Sequence, residues 1–229
     1  MAEVKHVRNK AEHDVVVNRT NDFWTRYSRP LMIAGGAIIL LAGGWLAYKY
    51  LIKAPKEAKA NEAIWRAQMN FELDSLQKAM KGDGQAAGFE KVASQYGGTA
   101  AGNLAHFYTG AAALRTGDND KAVKHLKDFS TDAKQIQARA YKLLGDAYAN
   151  QGKTADALSS YKKAAHEFEK DQVLSAQYLF LAAYYADRVA NNKKEATDLY
   201  QEIVKKYPGS GQENEAKKYL AQLGVYNED

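Results

Sequence analysis

Residues 138–167 read ARAYKLLGDAYANQGKTADALSSYKKAAHE, and no other stretch restricts the fold so tightly. Before the break Asn150-Gln151-Gly152-Lys153, the residues Tyr141, Leu144, Gly145 and Tyr148 recur at spacings of three and four, one face of a helix. After the break Ala157, Leu158, Tyr161 and Ala164 do the same. Gly152 suits a left-handed residue closing the first helix, and Thr154 suits the cap of the second. Small residues at Gly145, Ala157 and Ala164 let the two helices approach closely while Tyr and Leu fill the space around them. The stretch therefore predicts a helical hairpin.

The pattern resembles the tetratricopeptide repeat (TPR), with Tyr141 in the Trp place, then Leu144, Gly145, Tyr148, Ala157, Tyr161 in the Phe place, and Ala164. The closing Pro of that pattern is absent, and Glu169 stands there. One such hairpin cannot bury its own apolar face, so neighbours are required. Upstream, Gly110, Gly117, Ala122 and Leu126 precede Gly145, Gly152, Ala157 and Tyr161 by one constant offset, with Thr109 where Leu belongs. Downstream, Phe180, Ala183, Ala196, Tyr200 and Pro208 follow the pattern a few residues late, which places extra residues in a loop around Glu169 to Val173. The run Phe89, Val92, Tyr96, Gly97, Gly98 echoes Tyr200, Ile203, Tyr207, Pro208, Gly209, so Met80 to Gly98 reads as the second half of a divergent first repeat. Gly211 to Leu223 reads as a terminal cap.

Residues Leu31 to Tyr48, LMIAGGAIILLAGGWLAY, carry no charge and predict a spanning helix that Tyr50 to Ile52 extend. Phe23, Trp24 and Tyr27 precede it with Arg26 and Arg29; Trp45, Tyr48 and Tyr50 close it, with Lys49 snorkelling. A cleaved signal peptide is the competing reading. The long polar region before the apolar run and the length of that run favour a retained anchor. Gly36, Gly43 and Ala47 lie on a small-residue stripe that would allow packing on another membrane helix, or simply reflects the Gly and Ala usual in such helices. Orientation stays open, since Arg19, Arg26 and Arg29 on one side balance Lys49, Lys53, Lys56 and Lys59 on the other.

The expected organisation is a polar, largely disordered tail over 1–29, a transmembrane anchor over 30–52, a membrane-proximal helix over 53–81 and a TPR-like repeat domain over 82–229. Lys56 to Met80 reads as one continuous helix within it. The fold class is all-α: a single N-terminal transmembrane helix, then a TPR-like α-solenoid of three to four hairpins with a C-terminal capping helix.

The basic balance, with a pI near 9.1, raises the question of nucleic acid. From Lys53 onward, however, 25 basic residues face 23 acidic ones, so the repeat region is no basic binder. The chain has no Cys, hence neither disulfides nor thiolate metal sites. The histidines His6, His13, His106, His125 and His166 show no paired ligand spacing, and phosphate-loop and nucleophile-elbow motifs are missing. No enzyme, cofactor or metal is expected.

The repeat pattern projects certain places of each first helix into a groove. They are Leu104, Phe107, Ala111 and Leu114 upstream, Arg139, Lys142, Asp146 and Asn150 centrally, and Tyr178, Leu181, Tyr185 and Arg188 downstream. This surface, apolar at its flanks and basic-polar at its centre, suits an extended or helical peptide. Alternatively, the long helix before the repeats fills the groove from within.

The whole layout resembles the YfgM-like family of bacterial inner-membrane TPR proteins, ancillary to the Sec translocon. That resemblance implies a single-pass protein with a cytoplasmic N-terminus and a periplasmic repeat domain. Its partners would be translocon membrane subunits, a periplasmic chaperone of the PpiD type and unfolded client chains. The YPGS ending also looks like envelope-assembly and division TPR proteins, which carry signal peptides. A cytosol-facing co-chaperone adaptor is the third reading.

Overall fold

The computed structural model describes the backbone of residues 2–226 and the side chains of residues 24–226. The side chains of His6, His13, Arg19 and Phe23 thus lie outside the described residues. Among the described residues every regular element is helical. The chain divides into two compact units, Met1–Pro55 and Lys56–Asp229.

The first unit contains helix α1 (Ala2–Ala47) and a π-helical turn, Tyr48–Lys53. The expected disordered tail is corrected here: the backbone is helical from Ala2. No Gly or Pro stands between Ala2 and Arg29, and a helix already nucleated in the apolar run propagates with little further cost. Pro30 is accommodated inside α1 at the loss of one backbone donor. Ile33, Ile39, Leu40 and Leu41 are all more than 70% exposed. One helical stretch, Trp24–Glu72, is long and apolar enough to cross a membrane by length and composition. In the π turn the Lys49 ammonium lies 5.0 Å from the Trp45 ring and 5.6 Å from the Tyr50 ring.

The second unit is built from α2 (Ala54–Glu72), α3 (Leu76–Lys81), α4 (Phe89–Tyr96), α5 (Ala100–Arg115), α6 (Asn119–Asp128), α7 (Lys134–Asn150), α8 (Thr154–His166), α9 (Gln172–Arg188), α10 (Lys193–Lys206) and α11 (Glu213–Gln222). From α4 onward each helix packs on the next, antiparallel hairpin after hairpin. The first helices of the hairpins are α2, α5, α7 and α9, the second helices are α4, α6, α8 and α10, and α11 caps the series. This is an all-α repeat array of four hairpins.

A recurring helix ending identifies α2 as a first helix. At the end of α7, Gly152 has φ +72° and the Lys153 N–H reaches back to the Tyr148 carbonyl, a Schellman ending. The same six-residue bond runs from Asp118 to Ala113, from Val225 to Leu220, and from Ser75 to Asn70. Asp74, with φ +57°, takes the glycine's place at the end of α2. The expected continuous helix over 56–80 is therefore two helices. Asp tolerates the left-handed conformation well enough to stop α2 without a Gly or Pro to announce it.

Two other expectations are corrected. Lys153, not Thr154, is the N-cap of α8, and no side chain caps that helix. The extra residues downstream do not lie around Glu169 to Val173, because the connections 129–133 and 167–171 are equally long. They lie in α8, 13 residues against 10 in α6, and in the α9–α10 turn, where Asn191 supplies the positive φ.

The core is carried by small residues at crossings and rings between them. A Cβ added to Gly145 would stand 2.5 Å from the Tyr161 ring, and one added to Gly110 would stand 2.5 Å from Leu126. At each end of the array three rings from three different helices interlock. Phe89 stacks on Tyr108 at 5.0 Å with Phe71 edge-on to both. Tyr200 stacks on Tyr219 at 5.3 Å with Phe180 against both. Phe89 and Tyr200 are wholly buried, and burying a phenylalanine such as Phe89 contributes roughly 1.5–3 kcal/mol.

Candidate protein-interaction surface

The first helices form one layer of the repeat unit, and the structure sorts the sequence-predicted groove residues within it. Phe107 and Tyr185 are buried, 9% and 8% exposed. Phe107 packs at 5.3 Å on Phe129, and Tyr185 meets the Tyr161 ring edge-on at 5.2 Å. Both rings hold repeats together and offer little free surface. Ala111 is buried as well, while Leu104, Leu114 and Leu181 are half-buried against the core.

The central residues remain reachable and gather between α7 and α9. The Lys142 ammonium donates to Asp146 Oδ2 at 2.7 Å, and the Tyr161 hydroxyl donates to Asp146 Oδ1 at 3.0 Å. Burial, then the neighbouring Asp146 carboxylate, holds the Tyr161 hydroxyl far above its ordinary pKa, so it acts only as a donor. Burial also raises Tyr178 on α9, against the opposing pull of the Arg139 guanidinium on α7. Arg139 is exposed. Arg139, Lys142, Asp146 and Tyr178 thus make one polar, ring-bearing patch across two repeats.

Asn150 and Arg188 sit at the turn ends of the layer and link neighbouring repeats. The Asn150 amide donates to Asn119 Oδ1 at 3.1 Å. The Arg188 guanidinium donates to Gln222 Oε1 at 3.1 Å and lies 5.5 Å from the Tyr219 ring. The apolar face of α2, Ala60, Ile64 and Ala67, clusters with residues of α4 and α5. The Glu57 carboxylate caps α5, accepting from the Ala100 and Ala101 N–H groups at 3.0 and 3.1 Å. This helix is the first of the hairpin series rather than an insert in the central patch.

Sequence reasoning did not reach a second surface, a groove of about 760 Å³ between α6 and α8. Phe129, Tyr141, Tyr148 and Ser160 line it, with Lys127, Lys134 and Lys163 balanced by Asp132, Asp156 and Glu167. Tyr141 and Tyr148 carry the repeat pattern and were read only as hairpin packers, although both stay half-exposed. The sequence pattern places His106 on an inner helix and His125 among Lys on a solvated face, yet both are partly buried and their Nδ1 atoms stand 3.1 Å apart.

Residues 110–172 and 142–211 match the sequence family described as Tetratricopeptide repeat. Residues 110–211 thus carry tetratricopeptide repeats, which serve protein–protein interaction. No curated protein matches the sequence.

Proposed function

We propose that this protein is a membrane-anchored scaffold of the Sec translocation channel. The apolar helix holds it in a bacterial inner membrane with its N-terminus in the cytoplasm. The TPR array in the periplasm takes hold of translocon subunits, a chaperone of the PpiD type and emerging client chains. The observation that carries this reading is the pairing of a TPR match over 110–211 with an apolar helical stretch whose large side chains, from Leu31 to Leu46, are exposed. A layout of anchor followed by repeats is what the YfgM-like resemblance rests on. Within the array, Arg139, Lys142, Asp146 and Tyr178 are the proposed peptide-binding patch, with Leu104, Leu114, Leu181, Asn150 and Arg188 around it. Aromatic and Arg side chains are the favoured anchors of such interfaces.

Gly36, Gly43 and Ala47 form the proposed contact with a partner's membrane helix. A Cβ at Gly36 or Gly43 would meet nothing within 4 Å, so a side chain can begin at either position without a clash at its first carbon. Native co-purification from detergent-solubilised membranes tests both surfaces. Arg139→Glu with Tyr178→Ala should abolish recovery of the chaperone, and Gly36→Leu should weaken recovery of translocon subunits, at unchanged helicity. Recovery undiminished in both variants would contradict the proposal.

A further inference from the structure

We propose that His106, His125 and Asp128 form a binding site for one divalent transition-metal ion, Zn²⁺ in the first instance. The α5–α6 hairpin brings the two histidine nitrogens together, with Asp128 beside His106, from positions that show no ligand spacing in sequence. The two Nδ1 atoms are 3.1 Å apart, with ring centroids at 5.0 Å and a 40° tilt. Two nitrogens bound to one tetrahedral Zn²⁺ at about 2.0–2.1 Å each stand about 3.3 Å apart. The pair is therefore already within a few tenths of an ångström of chelating separation. Asp128 Oδ2 lies 3.9 Å from His106 Nδ1 on a half-exposed side chain, and a change of its rotamer toward His125 would make it the third ligand. The rings open on a groove of about 630 Å³, which leaves room for water in the fourth position.

The electrostatic setting agrees. Of the nearby cations, Lys121 is engaged by Glu90 at 2.9 Å and Asp118 at 3.3 Å, which leaves Lys124 as the main opposing charge. With no ion present, one Nδ1 must donate to the other, so only one lone pair is used; an ion engages both. A second cluster, His166, Glu169 and Glu202, brings its ligand atoms within 4.8 Å of one another. There Lys206 already neutralises the carboxylates at 3.3 and 2.8 Å, so a metal ion would have to displace it. An ion at the His106 site would tie α5 to α6 and stabilise the hairpin.

The full chain in detergent, stripped with EDTA and freed of chelator, should be titrated with micromolar ZnCl₂ while the thermal midpoint and calorimetric stoichiometry are followed. Binding to the folded state alone raises the midpoint by mass action. A saturable rise with one ion per chain is expected. It should be lost in the His106→Gln/His125→Gln variant, retained in His166→Gln, and not reproduced by MgCl₂, which prefers oxygen ligands. No rise in the wild type, or the same rise in the double variant, overturns the proposal. If the double variant folds poorly, ring NMR signals of the wild type decide instead. Zn²⁺ must shift those of His106 and His125, and shifts confined to other histidines overturn it equally.

Discussion

Thr109 is wholly buried on α5, and its hydroxyl is satisfied by donating to the Ala105 carbonyl at 2.7 Å. A residue that departs from the repeat pattern is thus tolerated because its polar atom finds a local partner. His106 and His125, on the same hairpin, are not so neutral in their effect. Burial holds both imidazoles below their ordinary value, so on acidification the unfolded chain takes up protons that the folded chain resists. Stability is fully present above the unfolded value of about 6.5 and is lost as pH falls through the lowered folded values. In metal-free buffer the urea midpoint should fall as pH drops below the unfolded value of about 6.5, and His106→Gln/His125→Gln should flatten that fall. A profile equally steep in the variant would assign the acid sensitivity to other groups.

Helix ends, more than helix faces, decide how this array is divided. Thr99 and Glu57 share the start of α5: Thr99 Oγ1 accepts from the Gly102 N–H at 2.9 Å, and the Glu57 carboxylate accepts from the two N–H groups between them. Glu57→Ala should cost about 1 kcal/mol, the usual value of a lost cap, read as a lower thermal midpoint and faster hydrogen exchange at the start of α5. Unchanged exchange would mean that water replaces the carboxylate without loss. The central hairpin was readable because Gly145, Gly152 and Tyr161 are residue types that few other arrangements need. The break at Asp74 and the left-handed Asn191 were not readable, since neither position carries a glycine. The candidate patch was legible only in part. Spacing fixed that Arg139, Lys142, Asp146 and Tyr178 share a layer, but not that Phe107 and Tyr185 are consumed by ring packing on Phe129 and Tyr161. Contacts between residues far apart in sequence, such as the two histidines, leave no periodic trace.

Across the repeat unit, two aromatic triads close the array, each with one stacked pair and a third ring against it, and each ring on a different helix. Such an array presents a layer of first helices, and under the proposed anchoring its use depends on which side of the membrane that layer faces. The most direct test is topology, for which the absence of Cys leaves a clean background. Ser160 is buried, with its hydroxyl donating to the Asp156 carbonyl at 2.8 Å, so the adjacent exposed Ser159 is the proper position in the repeats. Asn18→Cys and Ser159→Cys, made separately, would be treated in intact cells with a membrane-impermeant maleimide. Labelling of Ser159→Cys alone is the predicted result and keeps the repeats in the periplasm beside emerging chains. Labelling of neither until lysis would place the repeats in the cytosol and contradict the translocon assignment.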